Sequence, residues 1–409
     1  MHLYPAHIAL PQLEPHQFST WAVIACDQFT SEPAYWEKCE KEVASHPSTY
    51  HLICPEAYLG TPKEDAHKAQ IPLAMQAYDK GIFATLPLGY VYTERTQADG
   101  RTRCGIVGVI DLEDYEYEPN TNAPIRATEG TVKERIPPRV EIRRSATYEL
   151  PHVMLLLDDA ENSLLRPYQD GTGLTPLYDF PLMLEGGHLK GWLVPESEED
   201  RIKDVFSHFS SEMKLAVGDG NHSLAAAKSL YEELKAKSPE TAKISPLRYA
   251  LVEVVNIHSP ALDFEPIYRL VKTDDPFAFA KQLYAYAELC ETDSHFAQNP
   301  TQTVWLSYEM GECEITFGHG SHFLAVGTVQ QFLDAHPEYE IDYIHGEDSL
   351  LALSHQKGRV GIRFDGMKKE DLFLAVVSSG VLPRKAFSMG HAKDKRYYME
   401  ARKLSDERR

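Results

Sequence analysis

Long hydrophobic runs are missing from this chain of 409 residues. A helix needs about 20 consecutive apolar residues to cross a bilayer, and the sequence contains no such run, so we expect no membrane-spanning segment. The first residues, from Met1 to Pro5, also lack the basic stretch and apolar core that are typical of a secretory signal. Both absences favour a location in the cytoplasm.

Closely spaced cysteine pairs are missing as well. The six cysteines are scattered along the chain and are Cys26, Cys39, Cys54, Cys104, Cys290 and Cys313. No two of them form a Cys-x-x-Cys pair, which argues against a zinc ribbon and against a redox motif. In a reducing compartment we expect free thiols that are partly buried.

Positive charge is scarce. The chain has 41 lysine and arginine residues against 61 aspartate and glutamate residues, which gives a formal net charge of −20. A protein that follows duplex DNA usually carries a basic surface, so we expect no binding to bulk DNA. The basic residues are concentrated in two segments, which contain Arg126, Lys133, Arg135, Arg139, Arg143 and Arg144 and, near the end, Arg384, Lys385, Lys393, Lys395 and Arg396. Local clusters favour a small anionic ligand, and solvated surface charge is the alternative.

The most informative segment is a polar turn between an apolar run and a helical pattern. The apolar run extends from Leu215 to Val217, and helical spacing extends from Leu224 to Lys237. The turn between them consists of Gly218, Asp219, Gly220, Asn221, His222 and Ser223. A strand, a tight turn and a helix start are therefore predicted. Helix starts have unpaired N–H groups and a partial positive charge, which suit a phosphate. The alternative is an ordinary helix cap by Asn221 or Ser223.

Four side chains are candidates for chemistry. Asp219 could bind Mg²⁺, accept a proton from a hydroxyl or fix the turn. His222 could bind a phosphate oxygen, transfer a proton or cap the helix. Asp27 follows the apolar run Trp21–Cys26, and α/β folds often place functional carboxylates at such strand ends. Glu129 stands among arginines that favour its ionised form, so it is a candidate general base or a surface ion-pair partner.

The order of apolar runs and helical patterns predicts an α/β layer around the polar turn. Strands are predicted at Cys104–Leu112, Val153–Leu157 and Arg248–Asn256. A short helix is predicted around residues 132–136, ended by Pro137 and Pro138. A composition change at residues 272–276 predicts a boundary between an α/β region of residues 1–272 and an α+β region of residues 273–409.

The polar turn resembles the Asp-Gly-His-His-Arg signature of a bacterial and archaeal family, the domain of unknown function 1015, which is often labelled ParB-like. Shorter similarities follow in the same order along nearly the whole chain. They lie at Ala25-Cys26-Asp27, Thr128-Glu129, Pro266-Ile267-Tyr268-Arg269, Asp342-Tyr343-Ile344-His345 and Leu382-Pro383-Arg384-Lys385. We therefore interpret the chain as similar to that family over most of its length.

The turn also resembles the phosphate-binding turn of the ParB/sulfiredoxin group, which includes sulfiredoxins, free-serine kinases and CTP-binding partition proteins. The resemblance implies an α/β (α+β) fold with a mixed-sheet, ParB/sulfiredoxin-like core, an additional C-terminal α+β region, and nucleotide handling at Asp219–Ser223. Asn221 replaces a histidine of the signature, and Ser223 replaces its arginine. Loss of the arginine removes a bidentate phosphate clamp, so either the basic segments supply that charge or the nucleotide role is weaker.

Two functions follow from these observations. The first is a kinase-like, nucleotide-dependent phosphotransferase that acts on a small hydroxylated metabolite, with ATP or ADP (or another nucleotide) and Mg²⁺ as cofactors. Its catalytic residues are predicted to be Glu129, His222 and Asp27, its metal ligand Asp219, and its phosphate-binding residues Gly218, Asp219, Gly220, Asn221, His222, Ser223, Arg126, Arg139 and Lys385. The alternative is a non-catalytic, ParB-like nucleotide-binding protein with a protein or DNA partner. A hydrolase is weaker because no nucleophile motif is present.

Overall fold

The computed structural model describes residues 1–119 and 121–404. Its strands are β1 (Ile8–Pro11), β2 (Val23–Ile24), β3 (Phe83–Thr85), β4 (Gly89–Thr96), β5 (Thr102–Asp111), β6 (Tyr115–Glu116), β7 (Ile125–Ala127), β8 (Tyr148–Glu149), β9 (Met154–Leu157), β10 (Thr175–Pro181), β11 (His188–Pro195), β12 (Leu215–Asp219), β13 (Tyr249–Asn256), β14 (Phe264–Lys272), β15 (Gln302–Tyr308), β16 (Gly311–Phe317), β17 (Glu340–His345), β18 (Arg359–Phe364), β19 (Phe387–Met389), β20 (Tyr397–Tyr398) and β21 (Ala401–Lys403).

Helices are interspersed among these strands. They are α1 (Phe18–Trp21), α2 (Pro33–Val43), α3 (Pro62–Gly81), α4 (Ile136–Ser145), α5 (Glu199–His208), α6 (Asn221–Lys237), α7 (Pro239–Ile244), α8 (Pro276–Thr292), α9 (Ala325–Asp334), α10 (Glu347–Ser354) and α11 (Asp371–Ser379). Helices and mixed sheets together make this an α/β fold, which confirms the predicted fold class.

Contacts divide the described part of the chain into two compact units. Unit 1 comprises Met1–Ala127, Thr131–Leu262 and the segment from His391 onward, and unit 2 comprises Thr128–Gly130 and Asp263–Gly390. The chain therefore returns to unit 1 after completing unit 2. The division into residues 1–272 and 273–409 stays a prediction about separable domains.

Unit 1 is built on a nine-stranded mixed sheet with the order β10-β11-β4-β5-β13-β9-β12-β7-β6. Neighbouring residues of one strand enter two different apolar clusters. In β4, Val91 packs in the cluster that contains Trp36 of α2, whereas Tyr92 packs in the cluster that contains Leu224 of α6. Because side chains alternate between the two faces of a strand, both faces of this sheet are buried. Burial on both sides explains why strands such as β13 are apolar at nearly every position.

Two strand pairings determine which loops of unit 1 lie together. β12 runs antiparallel to β9, with Asp219 opposite Met154, so the end of β12 lies beside the start of β9. β2 runs antiparallel to β20, with Val23 opposite Tyr398. The residues that follow β2 therefore lie beside the residues that precede β20, and the backbone N–H of Ala25 donates to the carbonyl of Arg396 at 2.9 Å.

Unit 2 contains a second sheet, with the order β16-β15-β18-β14-β17, in which β19 also pairs with β14. The long strand β14 is central, because it pairs antiparallel with β17, β18 and β19. The helices α8 to α11 belong to the same unit. Its alternation of strands and helices agrees with the α+β character that was predicted for the C-terminal region.

One helix was predicted on the wrong side of two prolines. Pro137 and Pro138 were expected to end a helix at residue 136, whereas α4 begins at Ile136 and continues to Ser145. Proline lacks a backbone N–H, but the first turn of a helix leaves its N–H groups unpaired in any case. The prolines therefore start α4, which carries Arg139, Arg143 and Arg144 of the first basic segment.

The six cysteines are free thiols, and the side chains of Cys39 and Cys290 are buried. None of the described helices combines the length and apolar character that a bilayer crossing requires.

Within unit 1, a buried cluster of ion pairs connects strand β21 to strand β8 and helix α4. Glu149 of β8 accepts hydrogen bonds from Arg402 at 2.5 Å and from Arg143 at 2.6 Å. Burial would raise the pKa of Glu149, but the two guanidinium groups outweigh it and hold that pKa below its usual range. The carboxylate is therefore ionised, and it compensates two largely buried positive charges.

We predict that Glu149→Ala destabilises the protein by about 3–5 kcal/mol, because it leaves buried guanidinium charges without a partner. Glu233→Ala is the matched control, since Glu233 pairs with Arg144 at 2.7 Å on the exposed surface. That loss is expected to cost less than about 1 kcal/mol. Urea unfolding of both variants measures the difference, and equal costs would contradict the assigned role of the buried cluster.

Candidate functional site

The polar turn lies where β12 ends and α6 begins. Asp219 is the last residue of β12, Asn221 is the first residue of α6, and Gly220 between them has a φ of +82°. A side chain at Gly220 would lie 3.0 Å from the Cα of Val153, so glycine is required for both its conformation and its close packing. The predicted strand, turn and helix start are confirmed.

The N-cap residue of α6 is Gly220, which has no side chain to cap the helix, and the Oδ1 of Asp219 accepts the backbone N–H of Gly220 at 3.0 Å. Asn221 and Ser223, the two predicted cap candidates, therefore do not have that role. The Asn221 Oδ1 atom is buried and has no hydrogen-bond partner in the described part of the chain. Unpaired N–H groups and the partial positive charge of a helix of 17 residues are thus available to an anion.

Four charged or titratable side chains meet beside this turn. The Nζ of Lys395 lies 3.4 Å from the Oδ2 of Asp219, and the Nε2 of His152 lies 3.7 Å from the Oδ2 of Asp27. The two strand pairings explain the arrangement, because His152 precedes β9, Asp27 follows β2 and Lys395 precedes β20. The structure therefore brings together two of the predicted site residues, Asp27 and Asp219.

The two carboxylates have pKa values that are shifted in opposite directions. Burial would raise the pKa of Asp27, but His152, the Gln28 amide and Lys395 outweigh it and hold that pKa below its usual value. Burial and the negative charge of Asp27 raise the pKa of Asp219, even though Lys395 and His152 oppose the shift. A pair of this kind can supply an ionised base and a carboxyl group that keeps its proton longer.

A chain of hydrogen bonds connects α6 to β20. The Oγ of Ser223 lies 3.2 Å from Nε2 of His152, and Nδ1 of His152 lies 2.7 Å from the hydroxyl of Tyr398. The Tyr398 hydroxyl also accepts the backbone N–H of Cys26 at 3.2 Å. Burial raises the pKa of Tyr398 well above its usual value, so this hydroxyl keeps its proton. These contacts hold the His152 ring in one orientation between Ser223 and Asp27.

His222 lies on the other side of the turn, near the arginines of α4. Its Nε2 accepts the backbone N–H of Val132 at 3.3 Å, so its Nδ1 carries the ring proton. Burial and the nearby Arg139 and Arg135 lower the pKa of His222 to about 4. The imidazole is therefore neutral at pH 7 and can donate a hydrogen bond, but it does not supply a positive charge.

A cavity of about 440 Å³ opens beside these groups. Its polar lining residues include His152, Ser223, Arg135 and Arg139, together with charged residues of both signs: Glu56, Glu64, Lys68, Glu134, Arg143 and Glu149. Most of the remaining wall is apolar and comes from Leu52, Ile53, Ile71, Met75, Ile142, Leu150, Pro151, Val153, Leu224 and Leu251. An apolar wall with a few polar groups at one place is typical of a small-molecule pocket.

Arg139 has a partner of its own in this cavity, because its guanidinium forms an ion pair with Glu56. Both side chains are largely buried, and both line the cavity. An anion that approached Arg139 would compete with the Glu56 carboxylate. The sequence did not indicate Glu56, since nothing in its local pattern distinguishes it from a surface glutamate.

Three predicted residues, Arg126, Glu129 and Lys385, have other contacts. Arg126 on β7 is buried, donates from Nε to the carbonyl of Ala123 at 2.8 Å and lies 3.9 Å from Glu212. Glu129 and Lys385 belong to unit 2, where Glu129 bridges to Leu382. The predicted functional roles of these three residues stay predictions.

Sequence reasoning missed His152 and Tyr398, and it recognised Lys395 only as one of several basic residues near the end of the chain. His152 precedes a predicted strand, as Asp27 follows one, and that position was an available signal. Tyr398 had no such signal, because a tyrosine in a short strand is usually a packing residue.

The donor set fits a Mg²⁺ that is held mainly by phosphates. The described residues contain no group of three or more His, Cys, Asp or Glu side chains that could hold a metal ion. However, the Oδ2 of Asp219 is buried and accepts no hydrogen bond from the described residues. Mg²⁺ is usually bound by one or two carboxylates together with substrate phosphates, so this single oxygen is sufficient for that mode of binding.

Comparisons with known proteins support the family resemblance. The family described as "Protein of unknown function (DUF1015)" matches residues 9–401. No curated protein sequence matches the chain.

Solved structures show distant similarities. A mutant free serine kinase in complex with ADP has 13% identity and a TM-score of 0.38, over 73% of this chain and 92% of its own. A conserved hypothetical protein from Pyrococcus furiosus has 11% identity and a TM-score of 0.35, over 73% of this chain and 96% of its own. SbnI with a C-terminal truncation, from Staphylococcus aureus, has 10% identity and a TM-score of 0.34, over 70% and 82%.

We predict that Gly220→Ala destabilises the protein by at least about 1 kcal/mol more than Gly100→Ala, because only the former adds overpacking. Both glycines have positive φ, +82° and +85°, so alanine at either position must adopt the same unfavourable backbone conformation. A Cβ at Gly100 would meet nothing within 4 Å, whereas a Cβ at Gly220 would meet Val153 and His152. Chemical denaturation of the two variants measures the difference, and equal destabilisation would show that the turn has room to adapt.

The lowered pKa of His222 predicts a dependence of stability on pH. The unfolded chain binds a proton at His222 near pH 6.5, whereas the folded chain binds it only near pH 4. Its contribution to the free energy of unfolding is therefore present above pH 6.5 and is lost as the pH falls towards 4. We expect His222→Gln to show a smaller loss than the wild type between those values in urea unfolding. The exposed His16→Gln serves as control, and identical pH profiles for His222→Gln and wild type would refute the shift.

Proposed function

We propose that this chain, which belongs to the family of unknown function DUF1015, is a nucleotide-dependent phosphotransferase that acts on a small hydroxylated metabolite. One observation carries the proposal. His152 and Ser223 line a largely apolar cavity in unit 1, and Ser223 belongs to the first turn of α6. His152 also lies beside Asp27, one of two neighbouring carboxylates whose pKa values are shifted in opposite directions. Phosphoryl transfer needs donors for phosphate oxygens, a base for the acceptor hydroxyl and a pocket that excludes water.

The phosphates of the nucleotide would bind at the start of α6. Backbone N–H groups there have no intrahelical partner, and the helix dipole favours negative charge. His222 would donate from Nδ1 to a phosphate oxygen, since its Nε2 already accepts from Val132. Arg135 and Arg139 would neutralise the charge of the phosphates in place of the signature arginine, which Ser223 replaces in this chain. The apolar wall of the cavity suits the base of a nucleotide, which buries a flat ring.

Asp27 is the proposed general base. Its pKa is held below the usual value, so it is ionised at neutral pH and can accept the proton of an acceptor hydroxyl. The hydroxyl oxygen would then form a bond to the γ-phosphorus of ATP, the bond to the bridging oxygen would break, and ADP would leave. His152, held by Tyr398 and Ser223, orients the Asp27 carboxylate.

Asp219 has the complementary environment. The Oδ2 that accepts no hydrogen bond from the described residues lies beside Lys395, and either a proton or a cation would satisfy it. Mg²⁺ bound there together with the phosphates would neutralise their charge during transfer. Lys395 would keep Asp219 from repelling the phosphates when no cation is bound. Glu129 as an additional base, and Arg126 and Lys385 as further phosphate-binding residues, remain part of the hypothesis.

The alternative is a non-catalytic nucleotide-binding protein with a protein or DNA partner. The two hypotheses differ in turnover rather than in binding. Nucleotide binding without release of ADP, over a panel of small alcohols and hydroxy amino acids, would favour the alternative. The net charge of −20 argues against bulk DNA as that partner under either hypothesis.

We predict that Asp27→Asn lowers the rate of ADP release by about 100-fold or more while nucleotide affinity stays nearly unchanged, because removing a general base typically costs 10²–10⁴ in rate. ADP release with ATP, Mg²⁺ and the acceptor panel is measured by a coupled assay, and affinity by calorimetry. Glu37→Gln, at an exposed position of α2, is the control and should have wild-type activity. If Asp27→Asn keeps full turnover, Asp27 is not the base.

The ion pair between Arg139 and Glu56 predicts opposite effects of two substitutions on nucleotide affinity. Arg139→Gln should weaken ATP binding about tenfold, since a charge-assisted hydrogen bond to phosphate contributes 1.5–3 kcal/mol at most sites. Glu56→Gln should strengthen ATP binding, because it removes the carboxylate that competes for Arg139. Both effects should decrease as salt concentration rises. Calorimetric titration measures them, and a weakening by Glu56→Gln would show that the pair acts as a structural unit instead.

A further inference from the structure

Four of the segments on which the family resemblance rests come together in unit 2. Arg269 of β14 is opposite Tyr343 of β17 in the antiparallel pairing. The segment Leu382–Lys385 precedes β19, and the backbone N–H of Leu382 donates to the carbonyl of Thr128 at 2.7 Å. These segments are far apart in sequence, so only the tertiary structure of unit 2 brings them together.

Three positive side chains surround one aromatic ring at this place. The guanidinium carbon of Arg269 lies 4.6 Å from the centroid of the Tyr343 ring, the Nζ of Lys385 lies 4.8 Å from it, and the guanidinium carbon of Arg384 lies 5.9 Å from it. Within the described ranges, none of the three forms a direct ion pair with a carboxylate, although the negative charges of Asp334 and Glu129 act on Arg269 from a greater distance. Cation–π contacts attract each cation to the ring, but the cations repel one another.

Arg269 acts on the backbone of the segment that carries the other two cations. Its side chain is fully buried, and it donates to the carbonyl oxygens of Arg384 and Lys385 at 3.4 and 3.2 Å. Its other donors are directed to Ile267 and Gln330. Because all these bonds are within the chain, Arg269 positions the segment and does not face a ligand.

The backbone at Lys385 is strained. Its φ is +54°, in the left-handed region that a lysine rarely adopts. Such a conformation is unfavourable and persists where the surroundings enforce it, often at binding sites. Hydrogen bonds from Arg269 to the carbonyls of Arg384 and Lys385 supply that enforcement, and the exposed side chains of both residues contact the same Tyr343 ring.

We propose that Arg384 and Lys385 form a binding site for the phosphate group of a small molecule, with Tyr343 as the platform that orients both cations. Arg384 donates from Nε to the Tyr343 hydroxyl at 3.1 Å, and its terminal nitrogens donate to no acceptor among the described residues. A guanidinium fork beside an ammonium group matches the several oxygens and the double charge of a phosphate. The site lies in unit 2. Lys385 is also a phosphate-binding residue of the phosphotransferase hypothesis, but Arg384 is not, and binding of a phosphate here is measured without turnover.

The test uses the whole protein and inorganic pyrophosphate as the probe in calorimetric titrations at two salt concentrations. Arg384→Gln and Lys385→Gly should each weaken binding about tenfold, as expected for the loss of one charge-assisted contact. Lys385→Gly should also raise the melting temperature, because glycine adopts the positive φ without strain. Lys281→Gln, at an exposed lysine of α8 in the same unit, is the control and should leave both quantities unchanged.

Three results would overturn the proposal. The first is an affinity of Arg384→Gln and Lys385→Gly equal to that of the wild type. The second is an equal loss in Lys281→Gln, which would indicate only a general attraction of anions. The third is binding of malonate as tight as that of pyrophosphate, which would assign the site to carboxylates. Repeating the titration in Arg139→Gln separates this site from the cavity of unit 1, because the effect of Arg384→Gln should persist there even if that cavity binds no nucleotide.

Discussion

Electrostatic coupling between Asp27 and Asp219 is the constraint on which the candidate site depends. Two carboxylates beside each other in a largely buried space cannot both ionise easily, so the molecule must supply positive charge and hydrogen bonds. Lys395 lies beside Asp219 and His152 beside Asp27, and Tyr398 and Ser223 hold the His152 ring in place. The pairing of β9 with β12 and of β2 with β20 is what makes this compensation possible. A shift of either register by one residue would displace the residues that adjoin these strand ends and would separate the charged groups.

The same principle recurs in unit 2 with the opposite sign. There, three positive side chains surround Tyr343. Cation–π contacts and backbone hydrogen bonds, rather than direct ion pairs, stabilise this arrangement. Groups of like charge are costly to assemble, so both clusters are maintained by several independent contacts. An acidic protein with locally positive sites agrees with small anionic ligands rather than with long polyanions.

Much of the local structure around the turn could be predicted from the sequence. The strand before Gly218 and the helix after Gly220 are where the apolar run and the helical spacing placed them. The helix near Pro137 was assigned in the wrong direction, because a proline can either begin or end a helix and only the following residues of α4 decide between them. The cap of α6 was also unpredictable, since Ser223 uses its hydroxyl for His152 instead of its own helix.

By itself, the sequence determined the α/β class, the strand–turn–helix at residues 215–237 and the family resemblance, because these depend on spacing over a few residues and on short motifs. Tertiary structure alone decided which polar groups meet. His152 and Lys395 join Asp27 and Asp219 through strand pairings between segments that are distant in sequence, such as the pairing of Val23 with Tyr398, which are 375 residues apart. Such pairings depend on packing of the whole sheet and leave no periodic signal near either residue, so no local pattern could have predicted them.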